Sequence, residues 1–257
     1  MDRPRSSFRR LFAVVVLLFV PLAGETLNAD EIRVAAASNF RDTLKEISAL
    51  FEQQSGIEVV LIFGSTGKHY AQLLNGAPYD LFFAADAARP QKLESRGLAL
   101  PGRRYTYAIG RLALWDPEGE TSETVQARIM SGDYRRLAMA NPELAPYGRA
   151  AKQALLALGL WRGASSRVVT GENVAQAYQF AASGNADLGF VARAQLERSP
   201  APAGSWWLVP VSHHDPIEQQ VVQLTDKPAA GRFFDFARSA EALEIIRLHG
   251  YALPDDL

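Results

Sequence analysis

The chain has 257 residues, a formal net charge of −1 at pH 7 and no cysteine. The lack of cysteine excludes disulfides, thiolate metal sites, a cysteine nucleophile and a lipid-modified cysteine. Nucleic-acid binders normally carry a basic field, so a chain of this charge is not expected to have a nucleic-acid partner.

A signal peptide is predicted over residues 1–29. A basic start precedes an apolar run, Leu11 to Leu22, that is too short to span a bilayer comfortably. Cleavage after "LNA" would leave Asp30 as the first residue of the mature chain. We therefore expect a free protein in the periplasm, and the alternative is an uncleaved membrane anchor.

Strands and helices alternate from Glu31 onward. The stretch "IRVAAA" predicts a buried strand, and Gly56 ends the helix that follows it. The apolar face of that helix is predicted to carry Phe40, Leu44, Ile47 and Phe51.

The next units repeat this order. The strand "IEVVLIF" leads through "GSTG" into the helix "KHYAQLLNG", and the strand "YDLFFAA" leads into a helix that Asp86 can cap. The inward face of the "KHYAQLLNG" helix is predicted to carry Tyr70, Leu73 and Leu74. Strands that alternate with helices indicate a parallel sheet covered on both faces.

Two long extended segments interrupt the alternation, "YTYAIGRLALWDPEGE" and "SHHDPIEQQVVQLT". Between them the strand–helix units return, and after them come two helices, "GRFFDFARS" and "SAEALEIIRLHG". Two crossings predict two α/β lobes with a cleft between them. Lobe I is expected to comprise residues 30–109 and 217–257, and lobe II residues 110–216.

Four turns place small or polar residues where a helix begins. They contain Ser38-Asn39, Ser65-Thr66, Tyr147 in "APYG" and Asn173-Val174 in "GENV". A helix N-terminus has unsatisfied N–H groups and the positive end of the helix dipole, so it attracts anions. Each turn alone is more often an ordinary cap. Two turns in each lobe, at the expected ends of strands, indicate a site for a small oxyanion.

The same turns resemble those of the periplasmic molybdate-binding protein family of molybdate ABC transporters. The similarity is carried by "VAAASNF", "FGSTG", "NGAPYDLFFAAD", "YAIGRLALW", "ANPELAPYG" and "NADLGFV", in that order. It implies a type II-like periplasmic binding protein fold, with two mostly parallel sheets flanked by helices and joined by two crossing strands. It also implies capture of molybdate or tungstate and delivery to a membrane-embedded ABC permease.

The resemblance implies five ligand-binding residues. Ser38 and Ser65 match the family's hydroxyl donors, and Tyr147 and Val174 match positions that offer main-chain N–H groups. Asn39 matches a donor found in one branch of the family. No side chain is expected to bind the metal atom directly, and no cofactor is implied.

Ala192 departs from the family's pattern. Many members carry a tyrosine there that reaches the oxyanion, so Asn39 is expected to replace that contact. Lys68, in the first turn of the second helix, could lie near the anion, but we expect Lys68 and Glu172 to face solvent.

Two alternatives remain open from the residues. The anion could be sulfate or phosphate, since selectivity would depend on the size of the cavity and the geometry of its donors. A secreted hydrolase could use His213, His214 and Asp215, but no nucleophile-elbow sequence is present. The prediction is therefore a monomeric binding protein, not an enzyme.

Overall fold

The structure is a computed structural model that describes residues 31–197 and 204–254. The predicted signal peptide and Asp30 lie outside the described residues. The ten strands are β1 Glu31–Ala37, β2 Glu58–Gly64, β3 Leu81–Ala84, β4 Arg104–Gly110, β5 Leu112–Asp116, β6 Leu137–Ala140, β7 Val168–Gly171, β8 Leu188–Ala192, β9 Ser205–Leu208 and β10 Ile217–Gln223.

Ten α-helices connect and flank these strands within the described residues. They are α1 Arg41–Ser55, α2 Thr66–Leu74, α3 Ala88–Ser95, α4 Ser122–Ser131, α5 Pro146–Ala157, α6 Trp161–Ala164, α7 Val174–Ala182, α8 Ala194–Glu197, α9 Pro228–Phe236 and α10 Ala240–Leu248. A short 3-10 turn, Ser38–Phe40, joins β1 to α1. None of the helices described in residues 31–197 and 204–254 is long and apolar enough to cross a membrane.

The strands form two five-stranded sheets. Their orders are β2-β1-β3-β10-β4 and β7-β6-β8-β5-β9. We call the first sheet with α1–α3, α9 and α10 lobe I, and the second sheet with α4–α8 lobe II. The predicted two-lobe α/β fold is confirmed.

Both sheets are mixed. In each, the first three strands in the order are parallel and the last two join by antiparallel pairing. Every antiparallel pairing between two of these ten strands involves β5 or β10, the strands that begin after a crossing between the lobes. Strands linked by a helix return in the same direction, whereas a strand arriving directly from the other lobe need not. Because of these crossings, the fraction of strand pairs that are parallel is lower than the alternation of strands and helices alone predicts.

The two crossings are of different lengths. Arg111 alone separates β4 from β5, whereas eight residues separate the end of β9 at Leu208 from the start of β10 at Ile217. Both predicted crossing segments therefore connect the two sheets. We call residues 110–112 and residues 209–216 the hinge segments.

Each lobe has its own apolar core. In lobe I the predicted face of α1 is buried, and Phe40 packs against Phe83 and Tyr107 with ring centroids 6.0 and 4.6 Å away. Leu73 is buried as expected, but the prediction for Leu74 is wrong, because this last residue of α2 is 39% exposed. The cores hold the strand ends that carry the turns described next.

Candidate functional site

Four helix N-termini surround one small cavity between the lobes. The centre of a water-sized sphere can occupy about 10 Å³ of it. Its lining comprises Ala37, Ser38, Asn39, Gly64, Ser65, Thr66 and Ala85 from lobe I and Ala145, Pro146, Tyr147, Asn173 and Val174 from lobe II. The structure thus brings together all five residues predicted from the sequence.

Lobe I contributes hydroxyl groups at two strand ends. Ser65 is the N-cap of α2, and its Oγ accepts a hydrogen bond from the N–H of Lys68 at 3.3 Å. A serine that accepts at its oxygen keeps its O–H as a donor. Ser38 Oγ accepts from the N–H of Ala175 at 3.4 Å, a contact that crosses the cleft. Both hydroxyls therefore lie where lobe I meets lobe II.

Lobe II contributes main-chain N–H groups. Helix α5 begins at Pro146, which places the N–H of Tyr147 in its first turn, and α7 begins at Val174. The first N–H groups of a helix have no partner within it. Asn173 Oδ1 caps α7 by accepting hydrogen bonds from the N–H groups of Ala175 and Gln176, at 3.0 and 3.2 Å. The N–H of Val174 is not bonded to this oxygen. These two helix ends supply donors and the positive ends of two dipoles.

The phenol of Tyr147 points toward the hinge. A Cβ added at Gly110 would collide with Tyr147 Oη, which is buried and has no hydrogen-bond partner among the described residues. Burial raises the pKa of Tyr147 well above its ordinary value. The phenol therefore stays protonated at neutral pH and keeps its O–H.

The side chain of Asn39 is turned into lobe I. Its Nδ2 donates to Gln219 Oε1 at 2.6 Å and to Tyr251 Oη at 3.1 Å. Both hydrogens of the amide are therefore engaged, which leaves the main-chain N–H as the donor that Asn39 can offer to the cavity. Ala192 is buried and does not line the cavity.

No charged side chain lines the cavity among the residues that the structure describes. Two ion pairs that join the lobes lie outside it. Lys68 Nζ and Glu172 Oε2 are 3.0 Å apart, and Arg149 Nη2 lies 3.6 Å from Asp86 Oδ2. Lys68 is exposed, as expected, and Glu172 is half-buried. Each is partly exposed, but closure of the lobes pairs them across the rim.

Main-chain contacts also join the lobes at the rim. The N–H of Gly67 in α2 donates to Leu144 O at 2.7 Å, and Arg89 Nη2 donates to Glu143 O at 3.0 Å. A Cβ at Gly67 would lie 2.7 Å from Leu144 O and 2.9 Å from its Cα. Since real Cβ atoms essentially never come that close to other heavy atoms, a side chain at this position would prevent the approach.

The histidines considered for a hydrolase lie in the hinge. His214 Nδ1 is 2.7 Å from Asp215 O, and the Asp215 carboxylate accepts from Gln153 Nε2 at 2.6 Å. None of these residues lines the cavity. Within the described ranges, no group of three or more His, Asp or Glu side chains is placed to hold a metal ion.

Comparison with known proteins gives the family. The model of the bacterial extracellular solute-binding proteins matches residues 32–252. The chain belongs to this family. Because its members are solute-binding proteins, the prediction that the chain is not an enzyme is confirmed.

Relatives within the solute-binding proteins agree over nearly the whole chain. The molybdate-binding protein ModA of Azotobacter vinelandii is 41% identical, over 95% of this chain and 98% of that protein. The ModA of Rhodobacter capsulatus is 40% identical over 93% of each. The solved structure of the Azotobacter vinelandii periplasmic molybdate-binding protein matches with a TM-score of 0.81 at 42% identity, covering 87% of this chain and 99% of that chain. The resemblance seen in the turns is confirmed.

Proposed function

We propose that this chain binds molybdate or tungstate between its lobes and delivers the anion to a membrane-embedded ABC permease. The anion is the transported solute and not a cofactor. The proposal places the protein in the periplasm as a monomer, after removal of residues 1–29. Two relatives of about 40% identity and the matching solved structure are molybdate-binding proteins, which supports this choice of solute.

The observation that carries the proposal is a cavity that has donors from both lobes and, among the described residues, no charged side chain in its lining. The proposed ligands are the hydroxyls of Ser38 and Ser65 and the N–H groups of Asn39, Tyr147 and Val174. Hydrogen bonds to an ionised acceptor are roughly twice as strong as neutral ones, so several such donors can offset the dehydration of a dianion. Fixed donors around a small space would select by anion size.

Lobe I in this proposal consists of residues 30–109 and 217–257, and lobe II of residues 110–216. The two lobes close on the anion by rotation about the hinge segments. Ligand contacts to both lobes favour the closed form over the open one.

Sulfate and phosphate are the competing solutes. Sulfate is smaller than molybdate, so donors set for the larger anion would be stretched. Phosphate is often protonated near neutral pH and needs an acceptor for its proton. Glu172, the carboxylate closest in sequence to the four turns, is already paired with Lys68.

Thermal unfolding with four anions tests the proposal. A ligand at about 100 times its Kd adds about 2.7 kcal/mol to the stability of the folded protein. Molybdate and tungstate are expected to raise the melting temperature, with sulfate and phosphate as matched tetrahedral controls. A shift with sulfate or phosphate alone, or with none of the four, would contradict the proposal.

A further inference from the structure

Gln219 lies where the chain has just crossed back into lobe I. It is the third residue of β10 and is completely buried. The register of β10 against β4 shifts between Gln219 and Gln220. Gln220 bonds to Arg104 and Thr106, which are both residues of β4, whereas Gln219 reaches Asn39 beside the cavity.

The oxygen and the nitrogen of the Gln219 side-chain amide differ in their hydrogen bonds. Its Oε1 accepts from Asn39 Nδ2 at 2.6 Å and lies 3.3 Å from Tyr107 Oη. Its Nε2 is buried and has no acceptor among the described residues. A buried donor without a partner destabilises a protein, so an apolar side chain of this size would be the more stable choice for packing alone. The hydrogen bonds of this glutamine side chain are therefore those at its oxygen.

The oxygen holds Asn39 from one side while Tyr251 holds it from the other. Tyr251 Oη donates to Asn39 O at 2.8 Å and accepts from Asn39 Nδ2 at 3.1 Å. Both the side chain and the main chain of Asn39 are thus fixed. The Ser38–Asn39 turn, whose donors face the cavity, cannot rotate without breaking these bonds.

We propose that Gln219 is a positioning residue for oxyanion capture, which acts through Asn39 on the Ser38–Asn39 turn. It connects the returning hinge strand to that turn and places no charge beside the anion. The inference rests on the proposed function, because it assumes that the turn binds the anion. Gln219 itself need not contact the anion in this role.

Molybdate titration calorimetry of full-length mature protein tests this role with Gln219→Leu, which removes the acceptor. Loss of a buried hydrogen-bond partner is expected to weaken binding by about tenfold or more. The matched control is Gln220→Leu on the same strand, which breaks contacts to Arg104 and Thr106 and should leave the affinity within about threefold of wild type. A wild-type affinity in Gln219→Leu would overturn the inference and leave the proposed function standing. No binding by the wild-type protein would overturn both.

A double-mutant cycle separates positioning from general stability. If Gln219 acts through Asn39, Gln219→Leu should have little further effect in an Asn39→Ala background. Full additivity of the two losses would overturn the inference.

Gln219→Glu provides a second variant should the leucine variant not fold. It keeps the acceptor oxygens, but an ionised carboxylate would repel the dianion. Burial favours the neutral acid, and the titratable neighbours Tyr107 and Tyr251 stay protonated because burial raises their pKa. Molybdate affinity of this variant should therefore fall as the pH rises from about 6.5 to 8.5, while the wild type stays nearly constant. An affinity of Gln219→Glu at about pH 6.5 far below that of the wild type, although the acceptor oxygen is retained, would contradict the inference.

Discussion

The rim contact at Gly67 makes closure of the lobes testable by a single methyl group. In Gly67→Ala the new Cβ would lie 2.7 Å from Leu144 O, where ordinary contact begins at 3.4 Å. The new Cβ is attached to the backbone of one lobe, and Leu144 O is a backbone atom of the other. Neither can move aside alone, so the lobes must separate by several tenths of an ångström. The separation lengthens the 2.7 Å hydrogen bond from Gly67 N to Leu144 O and also lengthens the bonds from lobe II to the anion.

The expected loss is large for so small a change. One neutral hydrogen bond contributes about 1 kcal/mol and one bond to a charged group about 1.5–3 kcal/mol. Complete loss of one bond of each kind would raise the Kd for molybdate roughly 70- to 900-fold, which is the upper limit of the expected effect. The unliganded protein should be as stable as wild type or slightly more stable, because alanine favours helix α2 over glycine.

Titration calorimetry with molybdate measures the Kd, and thermal unfolding without ligand measures the stability. Gly163→Ala is the matched control, because a Cβ there meets no atom within 4 Å. An affinity of Gly67→Ala within about threefold of wild type would refute the reasoning, because closure would then not depend on this approach.

Three further changes probe the cap, the rim and the core of lobe I. Ser65→Ala should lower the stability by about 1 kcal/mol and also weaken molybdate binding. Ser239→Ala removes the equivalent cap of α10 and should lower only the stability. Unfolding and molybdate titration of both variants measure the two effects. Equal affinities in the two variants would count against Ser65 as a ligand. Lys68→Met removes a partly exposed ion pair with Glu172, so the affinity for molybdate should fall by less than about fivefold. The difference from wild type should vanish at high salt, which screens the ion pair. A loss of affinity that salt does not change would argue against a screened ion pair. Burial lowers the pKa of His69, so the unfolded chain binds more protons below the ordinary value of 6.5 and stability should fall as the pH drops through that window. His69→Gln should flatten this part of the stability–pH curve from chemical denaturation, and an unchanged curve would exclude His69 as its source.

The positions of the ligand turns could be predicted because they follow from the strand and helix pattern. Ser38, Ser65 and Val174 each stand where a strand gives way to a helix, and such ends meet at one edge of an α/β sheet. The spacing of the crossing segments likewise predicted two lobes. These features depend on local periodicity, which a sequence displays directly.

Contacts between the lobes could not be predicted in the same way. The pairing of Lys68 with Glu172 joins residues that are 104 positions apart, and it depends on how far the lobes close. The direction of the Asn39 side chain is set by Gln219 and Tyr251, which are distant in sequence. The share of antiparallel pairing depends on the sheet position that each crossing strand takes. Periodicity carries none of this information.

A crystal structure with bound molybdate, phased at the molybdenum absorption edge, tests the central claim most directly. We expect one anomalous peak in the cavity, with oxygens within hydrogen-bond distance of Ser38 Oγ, Ser65 Oγ and the main-chain nitrogens of Tyr147 and Val174. A peak bound to one lobe alone, or located elsewhere on the protein, would contradict capture by donors from both lobes.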